Sequence, residues 1–110
     1  MLILFDQGTP VGIRKALPEH VVKTAYEQGW STLLNGELLS AAEKEGFQIL
    51  LTTDKNLVYQ QNLGGRKIAV VALSTNRWSL IQTALERIAE AVRAAKPSSY
   101  TLVEISSART

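Results

Sequence analysis

The sequence predicts an α/β fold, a three-layer sandwich around a central, mostly parallel sheet, and three observations carry that prediction. First, the stretches Leu2-Ile3-Leu4-Phe5, Gln48-Ile49-Leu50-Leu51-Thr52 and Lys67-Ile68-Ala69-Val70-Val71-Ala72-Leu73 are dominated by continuous rather than alternating apolar residues. Strands buried on both faces read this way. Second, helical spacing or turn chemistry separates these runs. Third, the links are short, which leaves crossovers that lay helices on both faces of the sheet.

In chain order, Leu2–Phe5 is the first strand and Asp6-Gln7-Gly8-Thr9-Pro10 the loop after it. Thr9 has the side chain of an N-cap, and Pro10 suits a first helical turn, so a short helix is expected over Val11–Leu17. His20–Thr24 is rich in β-branched residues and reads as a second strand. After a loop from Gly29 to Gly36, Asn35 is placed to cap a helix whose buried face carries Leu38, Leu39, Ala41 and Ala42, with Gly46 ending it at the C′ position. Gln48–Thr52 is the next strand, closed by Asp54, which can cap a short helix over 55–62. Gly64-Gly65 is the turn into the strand Lys67–Leu73. Apolar residues at 78, 81, 84, 85, 88, 89, 92 and 95 predict one long helix from Trp78 to Ala95. Pro97-Ser98-Ser99 breaks it, and Tyr100–Ile105 reads as the last strand. Residues 1–105 form one domain and 106–110 a frayed tail, as expected for a chain of 110 residues when single domains run to roughly 100–150.

Composition narrows the function classes. The chain has no cysteine, which excludes disulfides and thiolate metal ligands and makes a cytoplasmic protein the expectation. No apolar run approaches the roughly 18 residues of a membrane span. The apolar start is cut by Asp6 and has no basic segment before it, so it reads as a strand and not a signal peptide. The net charge of +2 is small, but residues 1–54 carry seven acids and four bases whereas residues 55–110 carry three acids and eight bases. An acidic half joined to a basic half suits a metal-dependent enzyme that grips a phosphate backbone, and equally a domain whose bases are simply solvated.

In open parallel sheets, ligands bind beyond the carboxyl ends of the strands, where strand order reverses. Asp6 directly follows the first strand and Asp54 stands two residues past Thr52. Glu37 lies in the first turn of a helix, within reach of the same edge. Three convergent carboxylates repel one another unless a divalent cation neutralises them, and oxygen ligands favour Mg²⁺ or Mn²⁺. Each acid also has a plain structural reading. Aspartate after a strand is a common turn former, and glutamate in a first helical turn complements the helix dipole.

Three segments taken together, Ile3-Leu4-Phe5-Asp6-Gln7-Gly8-Thr9-Pro10, Glu37-Leu38-Leu39-Ser40-Ala41-Ala42-Glu43-Lys44-Glu45-Gly46 and Leu50-Leu51-Thr52-Thr53-Asp54-Lys55-Asn56-Leu57, resemble the short, toxin-type PIN-like domain family. The order and spacing of its motifs match over roughly residues 1–75. The resemblance implies a metal-dependent ribonuclease, with Asp6, Glu37 and Asp54 as catalytic acids holding Mg²⁺ or Mn²⁺. Around them it implies Gln7, Thr53 and Asn56 as supporting polar groups. Arg14, Lys15 and Lys55, the bases nearest in sequence, are expected on RNA phosphates. The expected partners are an RNA substrate, a small antitoxin protein and a second copy of the chain. The chain departs from the family at two positions, where Gln7 and Asn56 stand in place of acids. Both keep oxygen donors and remove charge, which leaves room for a weakened or inactive module that binds without cutting.

Other features point elsewhere and are weaker. A receiver domain would use Asp54 as phosphoacceptor, but it needs a lysine at a strand end, and Lys96 ends the long helix. His20 is the only histidine and has no serine or cysteine at a spacing that suggests nucleophilic catalysis. Trp30 either stacks on a base or covers the core, and Trp78 begins the apolar face of the last helix. Gly64-Gly65-Arg66 leads into a strand, which excludes a phosphate loop.

Overall fold

The computed structural model describes residues 1–33, 35–54 and 65–105. Five parallel strands form one sheet, β1 (Leu2–Phe5), β2 (Val21–Thr24), β3 (Ile49–Thr52), β4 (Ala69–Leu73) and β5 (Tyr100–Val103), in the order β2-β1-β3-β4-β5. The α/β sandwich expected from the sequence is therefore the architecture, with every strand pair parallel.

Period-two alternation sends each strand's side chains into two separate cores. Ile3 and Phe5 of β1, Ile49 and Leu51 of β3, and Ala69, Val71 and Leu73 of β4 join one cluster. Leu4, Leu50 and Val70 join the other. β3 and β4 are buried along their whole length, which is why they read as unbroken apolar runs. β2 lies at the sheet edge and is half-solvated, with Val21 57% exposed.

Helix α1 (Asn35–Lys44) covers the second cluster with Leu38, Leu39 and Ala42, and Gly46 ends it at φ +88°, as its position predicts. Trp30 packs on the same cluster, edge-on to Phe47 with ring centroids 6.0 Å apart, so it covers core here. The first cluster is covered by a 3-10 helix over Val11–Ala16, by α2 (Trp78–Ile81) and by α3 (Leu85–Ala94).

Two local expectations are corrected and one is refined. Thr9 is no N-cap: its hydroxyl donates to the Leu51 carbonyl at 3.1 Å and is buried there, and Pro10 takes the capping position without a side-chain bond. The short helix after it is present as a 3-10 helix that stops at Ala16, one residue before the expected Leu17. The helix read as continuous from 78 to 95 is interrupted by a 3-10 turn over Gln82–Ala84, where Thr83 Oγ1 donates to the Leu80 carbonyl at 2.6 Å. Threonine hydroxyls compete for backbone carbonyls in this way, and an i−3 acceptor favours the tighter turn. The apolar spacing survives the interruption, because Ile81, Ala84, Ile88 and Val92 all reach the core. The expected helix over 55–62 lies outside the described residues.

Candidate active site at the carboxyl edge of the sheet

The chain leaves β1 toward β2 on one side and returns to β3 on the other, so strand order reverses between β1 and β3. In open parallel sheets that reversal is where ligands bind, at the carboxyl ends of the two strands. Phe5 pairs with Leu51 in the ladder. The residues that follow, Asp6 on one strand and Thr52 on the other, therefore stand side by side at the rim.

Asp6 is held from several directions. Its backbone N–H extends the ladder to the Leu51 carbonyl at 2.9 Å, and its own carbonyl accepts from Thr9 N–H at 3.0 Å. The Gln7 N–H donates to Asp6 Oδ1 at 2.7 Å, and the Thr52 hydroxyl donates to Oδ2 at 2.8 Å. Thr52 Oγ1 in turn accepts from the Asp54 N–H at 3.0 Å. Thr52 is fully buried and links the two acids by one hydroxyl. Among the described residues, each carboxylate oxygen of Asp6 accepts one bond from an uncharged donor, which leaves it a further lone pair. Gly8 brings the β1 loop against this point: a Cβ there would lie 3.1 Å from Thr53 Oγ1.

The hydroxyl bonded to Asp6 is thus that of Thr52, one residue before the expected Thr53. The signal was in the sequence: a threonine inside an apolar buried strand needs a partner for its hydroxyl. Gln7 contributes its backbone N–H, and its side chain is exposed. Glu37 is exposed in the first turn of α1. Among the described residues no three or more His, Cys, Asp or Glu side chains are grouped to hold a metal, so Asp6 and Asp54 share a hydrogen-bonded frame that Glu37 does not complete in this structure. Lys55 and Asn56 lie outside the described residues.

Of the bases expected on phosphates, Arg14 donates to Glu27 Oε1 at 2.9 Å, and Lys15 places its ammonium 5.7 Å from the Trp78 ring centroid. Glu27 Oε1 also accepts the Thr24 N–H at 2.9 Å while the Thr24 hydroxyl accepts the Glu27 N–H at 3.0 Å. That reciprocal pair is a capping box, readable in Thr24-Ala25-Tyr26-Glu27 but not recognised from the pattern. The Thr24 N–H, with Arg14 adding its charge, holds the Glu27 carboxyl below its ordinary range.

No family model matches the chain, and no curated protein or solved structure is detectably similar to it. The strand order β2-β1-β3-β4-β5 is one that receiver domains share, so what weighs against that reading is the lysine and not the topology. Lys96 precedes β5 and lines a cavity with Met1 and Ile49 at the amino edge, across the sheet from Asp54. His20 also sits at that amino edge, with Nδ1 3.2 Å from the Met1 amino group. Burial, then the positive charge of that amino group, lowers its pKa. Among the described residues no helix is long and apolar enough to cross a membrane.

Proposed function

We propose that the chain is a metal-dependent endoribonuclease of the PIN-like type, acting as the toxin of a toxin–antitoxin pair. One observation carries this reading: Asp6 and Asp54 stand at the reversal of strand order, tied together by the buried Thr52 hydroxyl.

The donor chemistry fits Mg²⁺ or Mn²⁺. The groups at the rim are carboxylate oxygens with no sulfur or imidazole beside them, and Mg²⁺ is commonly held by one or two carboxylates, several waters and substrate phosphates. Such a cation, when bound, supplies an activated water and stabilises charge on the phosphate under attack. The chain's own residues do the rest. Asp6 offers the lone pairs left by Gln7 N–H and Thr52, and those two donors fix the plane of its carboxylate. Asp54 flanks it, and Glu37 is assigned a place in the shell through water. Arg14, Lys15 and Lys55 are the bases assigned to phosphate oxygens, the Arg14–Glu27 pair being solvent-exposed and weak. An antitoxin would cover the acidic rim, and a homodimer would follow the family.

The test is thermal unfolding with and without Mn²⁺, paired with cleavage of single-stranded RNA. The expected result is Mn²⁺-dependent stabilisation of the wild type, absent in Asp6→Asn, and cleavage only in the presence of metal. A cation at a hundred times its Kd stabilises by about 2.7 kcal/mol. If Mn²⁺ neither stabilises nor supports cleavage, and Asp6→Asn raises stability by relieving carboxylate repulsion, the reading is wrong.

A second reading, a PIN-like module that binds RNA without cutting it, is favoured by Gln7 and Asn56 and by the incomplete acidic group. RNA binding and Mn²⁺ stabilisation without cleavage distinguish it.

A further inference from the structure

A groove of about 390 Å³ opens beside Asp6 on the β2 side, lined by Asp6, Gln7, Thr9, Val11, Tyr26 and Glu27. Two of these are large apolar side chains left in water: Tyr26 is 79% exposed and Val11 53% exposed. Tyr26 is nonetheless carried on a fixed turn. The Thr24–Glu27 capping box closes it, Gly29 N–H donates to the Tyr26 carbonyl at 3.0 Å, and Ala25 beside it is buried. An exposed aromatic ring on a hydrogen-bonded turn offers a face on which a base can stack.

The polar wall says what stacks there. Glu27 makes the far side of the groove acidic, which repels a phosphate there but not a neutral base, while at Asp6 the proposed cation would take the phosphate. Glu27 stays ionised because the Thr24 N–H and Arg14 are both held by Oε1, while Oε2 takes part in neither bond. An ionised carboxylate only accepts hydrogen bonds, so it selects ring edges that donate, such as the exocyclic amines of cytosine and adenine.

We propose that this groove is a base-binding subsite, in which Tyr26 stacks an unpaired, amino-bearing nucleobase of RNA whose edge donates to Glu27, next to the phosphate placed at Asp6. The inference rests on the ribonuclease reading for its substrate class. It adds that the enzyme takes single strands, because a paired base has its edge occupied and its faces covered.

The experiment measures binding of cytidine and uridine octamers, and of a duplex of the same length, by fluorescence anisotropy to wild type, Tyr26→Phe and Tyr26→Ala. Cleavage in Mn²⁺ is followed alongside. Tyr26→Ala is expected to weaken single-strand binding roughly tenfold, at the low end of a stacking contact, and Tyr26→Phe to stay within about twofold. Oligocytidine is expected to bind about fivefold tighter than oligouridine, whose corresponding position is a carbonyl. Thermal stability should not move, since the ring is mostly in water. Unchanged binding by Tyr26→Ala, equal loss in Tyr26→Phe, equal binding of the two octamers, or equal binding of the duplex each overturns the subsite. The two claims fail separately. Metal-dependent cleavage with Tyr26-independent binding removes the subsite and leaves the nuclease. Tyr26-dependent binding without cleavage does the reverse.

Discussion

Glu43 and Asp6, acids at opposite edges of the sheet, are held in opposite ways. At the amino edge, Glu43 of α1 takes Arg66 at 2.8 Å through Oε1 and the Lys67 N–H at 2.6 Å through Oε2, with the Ile68 N–H at 3.4 Å on the same oxygen. Its charge is matched by a cation and its oxygens by backbone donors, so the group ties α1 to the start of β4. At the carboxyl edge, Asp6 is bonded just as firmly but only by a backbone amide and a hydroxyl. Its orientation is fixed, and among the described residues no cation forms an ion pair with it. An acid oriented and neutralised is a fastener. An acid oriented without a cation beside it is what the proposed metal site requires.

That contrast breaks first, and by the largest margin, if the two acids are neutralised in turn. Asp6→Asn keeps the shape and removes the charge, and should lower metal-dependent cleavage by about 10²–10³-fold, the range seen when a group stabilising transition-state charge is lost. Glu43→Gln should leave cleavage per folded molecule unchanged and lower stability instead. Steady-state rates beside urea unfolding read both. Equal activity losses in the two variants would erase the distinction between the edges.

Thr52→Val sharpens the same comparison at the next level. The substitution keeps the volume and deletes the hydroxyl that joins Asp6 Oδ2 to the Asp54 N–H. Leaving those two groups without their shared partner should cost about 1–3 kcal/mol in unfolding free energy. It should also weaken Mn²⁺ binding by about 10–100-fold, as loss of a group that orients a metal ligand does. A variant that unfolds more easily but binds Mn²⁺ as tightly as the wild type would reduce Thr52 to a packing residue.

Residue by residue, the sequence exposed the frame of this site better than its wiring. β3 and β4 are legible because every side chain along them is buried, which leaves no polar residue to blur the run. β2 shows less clearly because an edge strand solvates half its residues. Asp6 and Asp54 could be placed at one edge because both follow strands in a fold whose parallel pairing aligns carboxyl ends. Thr52, Thr9 and the Thr24–Glu27 pair were harder to assign. Threonine hydroxyls choose among caps, carbonyls and carboxylates according to which strand lies alongside, and pairing register is not written in local spacing. Convergence of Glu37 with the aspartates depends on how far α1 reaches past the sheet, a tertiary distance that no spacing encodes. Groove and platform at Tyr26 stayed hidden for a related reason: an exposed aromatic gives no periodic signal.

The smallest effect is the acid titration of Glu43, and its sign follows from its partners. Burial acts to raise the carboxyl's pKa, but the Lys67 N–H, Arg66 and the Ile68 N–H outweigh burial and hold it below the ordinary 4.5. A carboxyl whose folded pKa lies below its unfolded one binds fewer protons when folded, so it contributes stability above about pH 4.5 and loses it as pH falls through the folded value. With side chains of Glu43 and Arg66 24% and 22% exposed, solvent screening is partial, and a contribution of about 1 kcal/mol at neutral pH is expected. Glu43→Gln should therefore be less stable than the wild type at pH 7 by about that amount, and the difference should shrink as pH falls from 4.5 through the folded pKa. Urea midpoints measured between pH 3 and 7 read the convergence. If the two curves stay parallel through that range, the amino edge is held by shape rather than charge, and its contrast with Asp6 must rest on the carboxyl edge alone.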